Sequence, residues 1–164
     1  DRQRPRRHIG FRDHEPRGAL VAGLSILSAQ GADPRVGTWH LNVAKSKYSP
    51  GPAPKSQMLK IEAAGKGERV TSETVSATGE KSVTEYTAEF DGKPHPLKGS
   101  ALADMVTLKR VDANTTERVD SKGGKTMVTY HRVVSTDGKT MTVTAKGTNA
   151  QGQATSNVIV FEKH

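Results

Sequence analysis

This sequence predicts an all-β chain, an up-and-down antiparallel meander that closes into an 8–10-stranded barrel. Three observations carry that prediction. Turn signals recur about every 10–15 residues from residue 64 onward. The segments between them are rich in threonine, valine and isoleucine, which are stiff at the first side-chain torsion and sit well on a pleated surface. Several of these segments alternate apolar and polar residues with period two. With 33% hydrophobic and 4% aromatic residues, the chain must draw its core from one face of each strand.

The 164 residues divide into a leader, 1–36, and a single barrel domain, 37–164. The leader begins with Arg2, Arg4, Arg6, Arg7, Arg12 and Arg17, continues as an apolar run from Ala19 to Ala29, and ends with small residues at Ala29 and Gly31. A basic stretch, a short apolar run and a small-residue cut site before Ala32 are the parts of a secretory signal, which predicts a secreted or periplasmic protein. A disordered tail followed by a short helix is the plainer alternative. The apolar run is too short to span a bilayer, which takes about 20 residues, so no transmembrane span is expected. Formal charge is +8, and seven arginines against four acids in residues 1–36 supply part of it. The basic tail could meet nucleic acid, but it lies on the segment a signal peptidase would remove.

Gly37-Thr38-Trp39-His40-Leu41 opens the ladder and holds the only tryptophan. Residues 44–55 form a connection in which Pro50, Pro52 and Pro54 forbid helix. The strands expected are roughly 37–43, 56–63, 68–77, 81–91, 103–111, 114–121, 125–135, 139–148 and 153–163. Asp91-Gly92, Gly123-Gly124 and Asp137-Gly138 supply the positive φ angles of tight hairpin turns. Pro94-His95-Pro96 is expected to break the ladder, because proline cannot donate to a central sheet, leaving Lys98-Gly99-Ser100 in a loop or edge.

Parity assigns the inner face. Met141 and Val143 alternate with threonines, Tyr86 and Phe90 with Glu85 and Glu89, and Leu59 and Ile61 with Lys60 and Glu62. Val106 and Leu108 share parity with Arg110, and Val128 and Tyr130 share it with Arg132. If those apolar residues face inward, both guanidiniums approach the cavity and could fork onto an anionic head group. The plainer reading leaves each at a strand end with its head in water. Ile159 and Phe161 complete the candidate ligand-binding set, and Trp39 reads as a floor plug before it reads as a ligand-stacking residue.

Gly37-Thr38-Trp39 resembles the opening strand of lipocalins and fatty-acid-binding proteins, and Val158-Ile159-Val160-Phe161-Glu162-Lys163 is similar to their closing strand. Nearly all of 37–164 also resembles a group of small exported, lipocalin-like (calycin-type) proteins of soil bacteria. The shared residues are Gly37-Thr38-Trp39 with Ala44-Lys45-Ser46-Lys47, the Asp91-Gly92-Lys93 turn with Pro96, and Val134-Ser135 with Asp137-Gly138-Lys139-Thr140. The resemblance implies an up-and-down barrel that takes apolar ligands. The chain departs from fatty-acid-binding proteins in two ways. Residues 44–55 are too short and proline-rich for a helical lid, and Ile159 and Phe161 stand where an Arg-x-Tyr carboxylate anchor is usual.

Other chemistries find little support. The absence of cysteine excludes disulfides and thiolate ligands. His40, His95 and His131 lack metal-ligand spacing, so no metal and no cofactor are expected. No Gly-x-Ser-x-Gly or phosphate loop occurs, and Asp91, Asp112 and Asp137 sit where turns favour aspartate. Sparse aromatics argue against a nucleic-acid groove. The expected function is therefore non-catalytic binding or dispersal of a small apolar or amphiphilic molecule. A surfactant at oil–water boundaries, a cofactor-independent cyclase or isomerase, and a structural module without a cavity are the alternatives.

Overall fold

A computed structural model describes residues 32–164; the signal-like stretch up to residue 31 lies outside the described residues. Ten strands form in chain order: β1 (Gly37–Leu41), β2 (Ser56–Ala64), β3 (Gly67–Val75), β4 (Lys81–Glu89), β5 (His95–Lys98), β6 (Met105–Arg110), β7 (Thr115–Lys122), β8 (Lys125–Val134), β9 (Thr140–Thr148) and β10 (Ala154–Lys163). Each pairs antiparallel with the next, and β10 returns to β1, so the sheet is a closed barrel without free edges. None of the described residues is helical.

Nine of these strands match the segments expected from the sequence, and the tenth corrects it. His95–Lys98 is not a break in the ladder but a strand within the barrel. It meets β4 only at Glu85–Lys98 and Tyr86–Leu97, and β6 only at His95–Val106 and Pro96–Met105. A strand with two paired positions on each side asks little of the donor that Pro96 lacks. Leu97, buried at 7% exposure, anchors it inward. This is the lightest seam in the wall.

Just past that seam, Gly99 holds φ at +81°, and a Cβ there would stand 2.0 Å from the Val83 carbonyl oxygen. Both backbone conformation and space exclude a side chain. Gly99→Ala is expected to cost about 1–3 kcal/mol in urea unfolding. Gly123→Ala, at a turn with nothing within 4 Å, should cost less; equal losses would remove close approach as the reason.

The expected parity holds around the ring. Ile61, Val70, Tyr86, Val106, Leu108, Val128, Met141, Val143 and Phe161 are buried inside. Lys60, Glu62, Arg69, Glu85, Lys109 and Glu117 stand on the opposite parity. Charges at mid-strand make this outer wall unsuited to face lipid.

The connection after β1 follows β10 before crossing to β2. The Asn42 and Lys47 amides donate to the Val160 and Val158 carbonyls at 2.8 and 2.7 Å, and Ser156 donates to Ser49 at 2.9 Å. Tyr48 packs from this segment onto the core. Connections 42–55, 76–80, 99–104, 123–124 and 149–153 gather at one end of the barrel; the N-terminal residues and the remaining turns gather at the other.

A candidate ligand cavity

The second end is sealed from below. Trp39 has no exposure, lies across from Leu59 and Lys163, and donates Nε1–H to the Arg35 carbonyl at 2.8 Å. This is the floor plug expected of it. Arg35, read from the sequence as the end of the leader, is 1% exposed and belongs to the same floor. Its guanidinium bonds Asp33 and Glu68 and lies 4.6 Å from the Phe90 ring centroid. Arg110 stacks at 4.6 Å from the same ring and reaches Asp33 at 3.0 Å.

Above the floor, Glu68 is the hub. One carboxylate oxygen pairs with Arg35; the other accepts from the Tyr86 hydroxyl at 2.7 Å and pairs with Arg132 Nη1 at 2.9 Å. Burial alone would raise the Glu68 carboxyl, but Arg132 and Arg35 beside it prevail and hold it below the ordinary carboxylate range. Burial pushes the Tyr86 and Tyr130 phenols up to about 12, so both remain donors at neutral pH. A second pair lies higher on β7, where Arg118 grips Asp120 with two bonds, at 2.6 and 2.8 Å. The Arg118 guanidinium is sandwiched at 4.6 Å from Tyr86 and 5.0 Å from Tyr130. Four guanidiniums (Arg35, Arg110, Arg118, Arg132) thus face three carboxylates (Asp33, Glu68, Asp120). Arg110 is 39% exposed, so the three guanidiniums left inside (Arg35, Arg118, Arg132) match the three carboxylates.

Over this floor lies a cavity of about 210 Å³. Ile61, Val70, Val143, Ile159 and Phe161 make its apolar lower wall. Arg118, Asp120, Tyr130 and Arg132 form one side, and Gln57, Thr74 and Ser100 place its upper part toward the end where the long connections gather. Arg132 donates from Nε to Thr116 at 3.0 Å and from Nη1 to the Tyr86 hydroxyl at 3.3 Å. Its Nη2 is buried without any hydrogen-bond partner among the described residues.

Of the residues expected to meet a ligand, Leu59, Ile61, Tyr130, Arg132, Val143, Ile159 and Phe161 line this cavity. Trp39, Tyr86, Val106, Leu108, Val128 and Met141 are buried around it and do not line it. Phe90 lies between two guanidiniums in the floor. Arg110, 39% exposed, fits the strand-end reading. Arg132 does not: at 5% exposure it is inside, because its partners Glu68, Tyr86 and Thr116 satisfy most of its donors there.

Sequence reasoning missed Arg35, Glu68, Arg118 and Asp120. On β7 the inward parity carries Thr116, Arg118 and Asp120, whereas the apolar Val119 has the opposite parity, so hydrophobicity pointed to the wrong face. Glu68 did leave a signal, since it shares parity with Val70 and pairs across from Ala88. The aspartates once weighed for chemistry are turn formers: Asp91, Asp112 and Asp137 each accept from the amide two residues on, at 2.9, 2.9 and 3.0 Å.

No family model and no curated protein matches this sequence. Among solved structures, the barrel is similar to zebrafish ileal bile-acid-binding protein complexed with cholic acid. The TM-score is 0.50 at 14% identity, over 80% of this chain and 99% of that one. A likeness at this identity speaks for the closed antiparallel barrel alone and leaves the site to be argued from its own residues.

Proposed function

We propose that this chain is an exported carrier that holds, non-covalently and without turnover, a small amphiphile bearing an anionic group. The observation that carries the reading is Arg132: a buried guanidinium in the cavity wall with Nη2 left over after its other donors are bonded. An unmet donor on a buried cation is costly, and a carboxylate or similar oxyanion would meet it with a charge-assisted bond. The apolar lower wall suits the ligand's body. The zebrafish neighbour, solved with cholic acid, shows that a barrel of this plan accepts an acidic amphiphile. Export rests on the signal-like pattern of residues 1–31.

Binding is favoured over acid–base turnover by the fixed protonation states. Glu68 is held ionised by two arginines, Tyr86 and Tyr130 are held protonated, and Asp120 is committed to Arg118. Glu68, Tyr86 and Tyr130 are thus not poised near neutral pH, as a general acid or base would be. A volume of about 210 Å³ lies below the roughly 300–1,000 Å³ of sites for drug-sized molecules, so a single-ring or medium-chain acid fits better than a large one.

The test is calorimetry with decanoate and with decanol, which share a chain and differ in head group. The carboxylate should bind at least about tenfold more tightly. In Arg132→Met that preference should vanish while decanol binding persists. An unchanged preference in the variant, or no saturable binding of either molecule, would overturn the proposal.

A further inference from the structure

The inward positions of three neighbouring strands change character on the way up the barrel. At the level of Arg132, whose Nη1 donates to the Tyr86 hydroxyl at 3.3 Å, Ile61, Val70 and Tyr86 pair across β2, β3 and β4. Two residues along, the paired set is Leu59, Ser72 and Thr84, and two further it includes Gln57 and Thr74. These layers stand about 7 and 14 Å along the strands above the first. Gln57, Ser72, Thr74, Thr84 and Ser100 all line the cavity. Neutral hydroxyl and amide groups, not a hydrocarbon sleeve, therefore follow the level of the buried guanidinium.

Water at an open rim does not account for this layer. Ser72 is 8% exposed and accepts from the Gln57 side-chain amide at 3.0 Å. Ser100 Oγ accepts from the Leu102 and Ala103 amides, both at 3.2 Å, which uses its lone pairs and makes the hydroxyl a donor toward anything else. No net charge enters here, because Asp120 in the same wall is held by Arg118 at 2.6 and 2.8 Å. A methyl-ended chain rising from Arg132 would strip water from these hydroxyls and return no hydrogen bond. A hydroxyl or amide at that height would both give and accept one.

We infer that the ligand is polar at both ends: an anionic group at Arg132, a short apolar middle, and a neutral hydroxyl or amide among Thr74, Thr84 and Ser100. A medium-chain hydroxy acid is the simplest member of that class. The inference rests on the carrier reading for the anionic end and names the chemistry of the other. Thr74 and Thr84 then set specificity, through hydrogen bonds that a plain fatty acid cannot make.

Calorimetry on the full chain compares octanoate with 8-hydroxyoctanoate, which share a chain and differ only at the far end. The hydroxy acid should bind at least about fivefold more tightly. Octanedioate, with a second carboxylate in place of the hydroxyl, should bind more weakly than the hydroxy acid, since the upper layer offers it no net positive charge. Thr74→Val with Thr84→Val keeps the branched shape and removes both hydroxyls, and should bring octanoate and 8-hydroxyoctanoate within about twofold of each other. Thr142→Val, exposed on the outer wall, should leave the preference unchanged. Circular dichroism melts verify that the variants fold, and the wild-type comparison stands whether or not the double variant does. Equal binding of the two acids to wild type, a preference that survives in the folded double variant, or tighter binding of octanedioate would overturn the inference. The carrier reading would still stand if decanoate is preferred to decanol through Arg132. A hydroxyl preference that follows the threonines but ignores Arg132→Met would sustain the polar upper end and overturn the anionic reading alone.

Discussion

Glu68→Gln is expected to destabilise the barrel by about 3–5 kcal/mol, the usual consequence of removing one partner from a buried ion pair. Here a single carboxylate, 1% exposed, serves two guanidiniums that are themselves 1% and 5% exposed. Glutamine keeps the shape and some hydrogen bonding, but leaves Arg132 without a counter-charge and Arg35 with Asp33 alone. Glu62→Gln, on the outer wall, should change stability by less than about 0.5 kcal/mol. Urea unfolding at neutral pH distinguishes the two. A loss of under about 1 kcal/mol for Glu68→Gln would mean that the interior cations find other partners.

The same residue sets a pH dependence with a definite sign. The folded Glu68 carboxyl lies below its ordinary value, so its contribution is fully present above the unfolded carboxylate range, around pH 4–5, and is lost as pH falls through the lower folded value. Wild type should therefore lose stability more steeply below about pH 4 than Glu68→Gln, which has no such proton to take up. Parallel acid profiles would remove Glu68 as the source.

Trp39→Ala should cost about 3–5 kcal/mol, since it deletes the largest fully buried side chain of the floor and leaves a cavity that a closed sheet cannot collapse to fill. Trp39→Phe restores most of the volume but not the Nε1–H bond to Arg35, and should cost roughly 1–2 kcal/mol, combining one lost hydrogen bond and imperfect packing. Because Trp39 does not line the cavity, decanoate affinity of the folded Trp39→Phe protein should stay within a few-fold of wild type. A selective loss of decanoate binding in Trp39→Phe would place the ligand deeper than the cavity described above.

How far the site could be read in advance depended on what each residue's neighbours were. Arg132 was visible because it follows Val128 and Tyr130 on one strand face, where period-two parity needs only local sequence. Its partners were not, since Glu68, Tyr86 and Thr116 stand on three other strands. Arg118 and Asp120 were hidden for a different reason: their strand has a polar inward face, so the rule that apolar residues point inward failed there. The β5 strand was hidden by its prolines, which local rules read as a break.

By itself the sequence determined an all-β meander, nine of the ten strands, the inward parity of most of them, and Trp39 as the floor. Those features follow from turn chemistry and period-two alternation, which act over a few residues. Only the tertiary structure decided that Arg35 joins the floor, that one carboxylate serves two arginines, and that Arg132 is buried with one donor unpartnered among the described residues. Each depends on which strands closure makes neighbours and which loops it brings to the same rim. Closure joins residues as far apart as Trp39 and Lys163, beyond the reach of any local pattern.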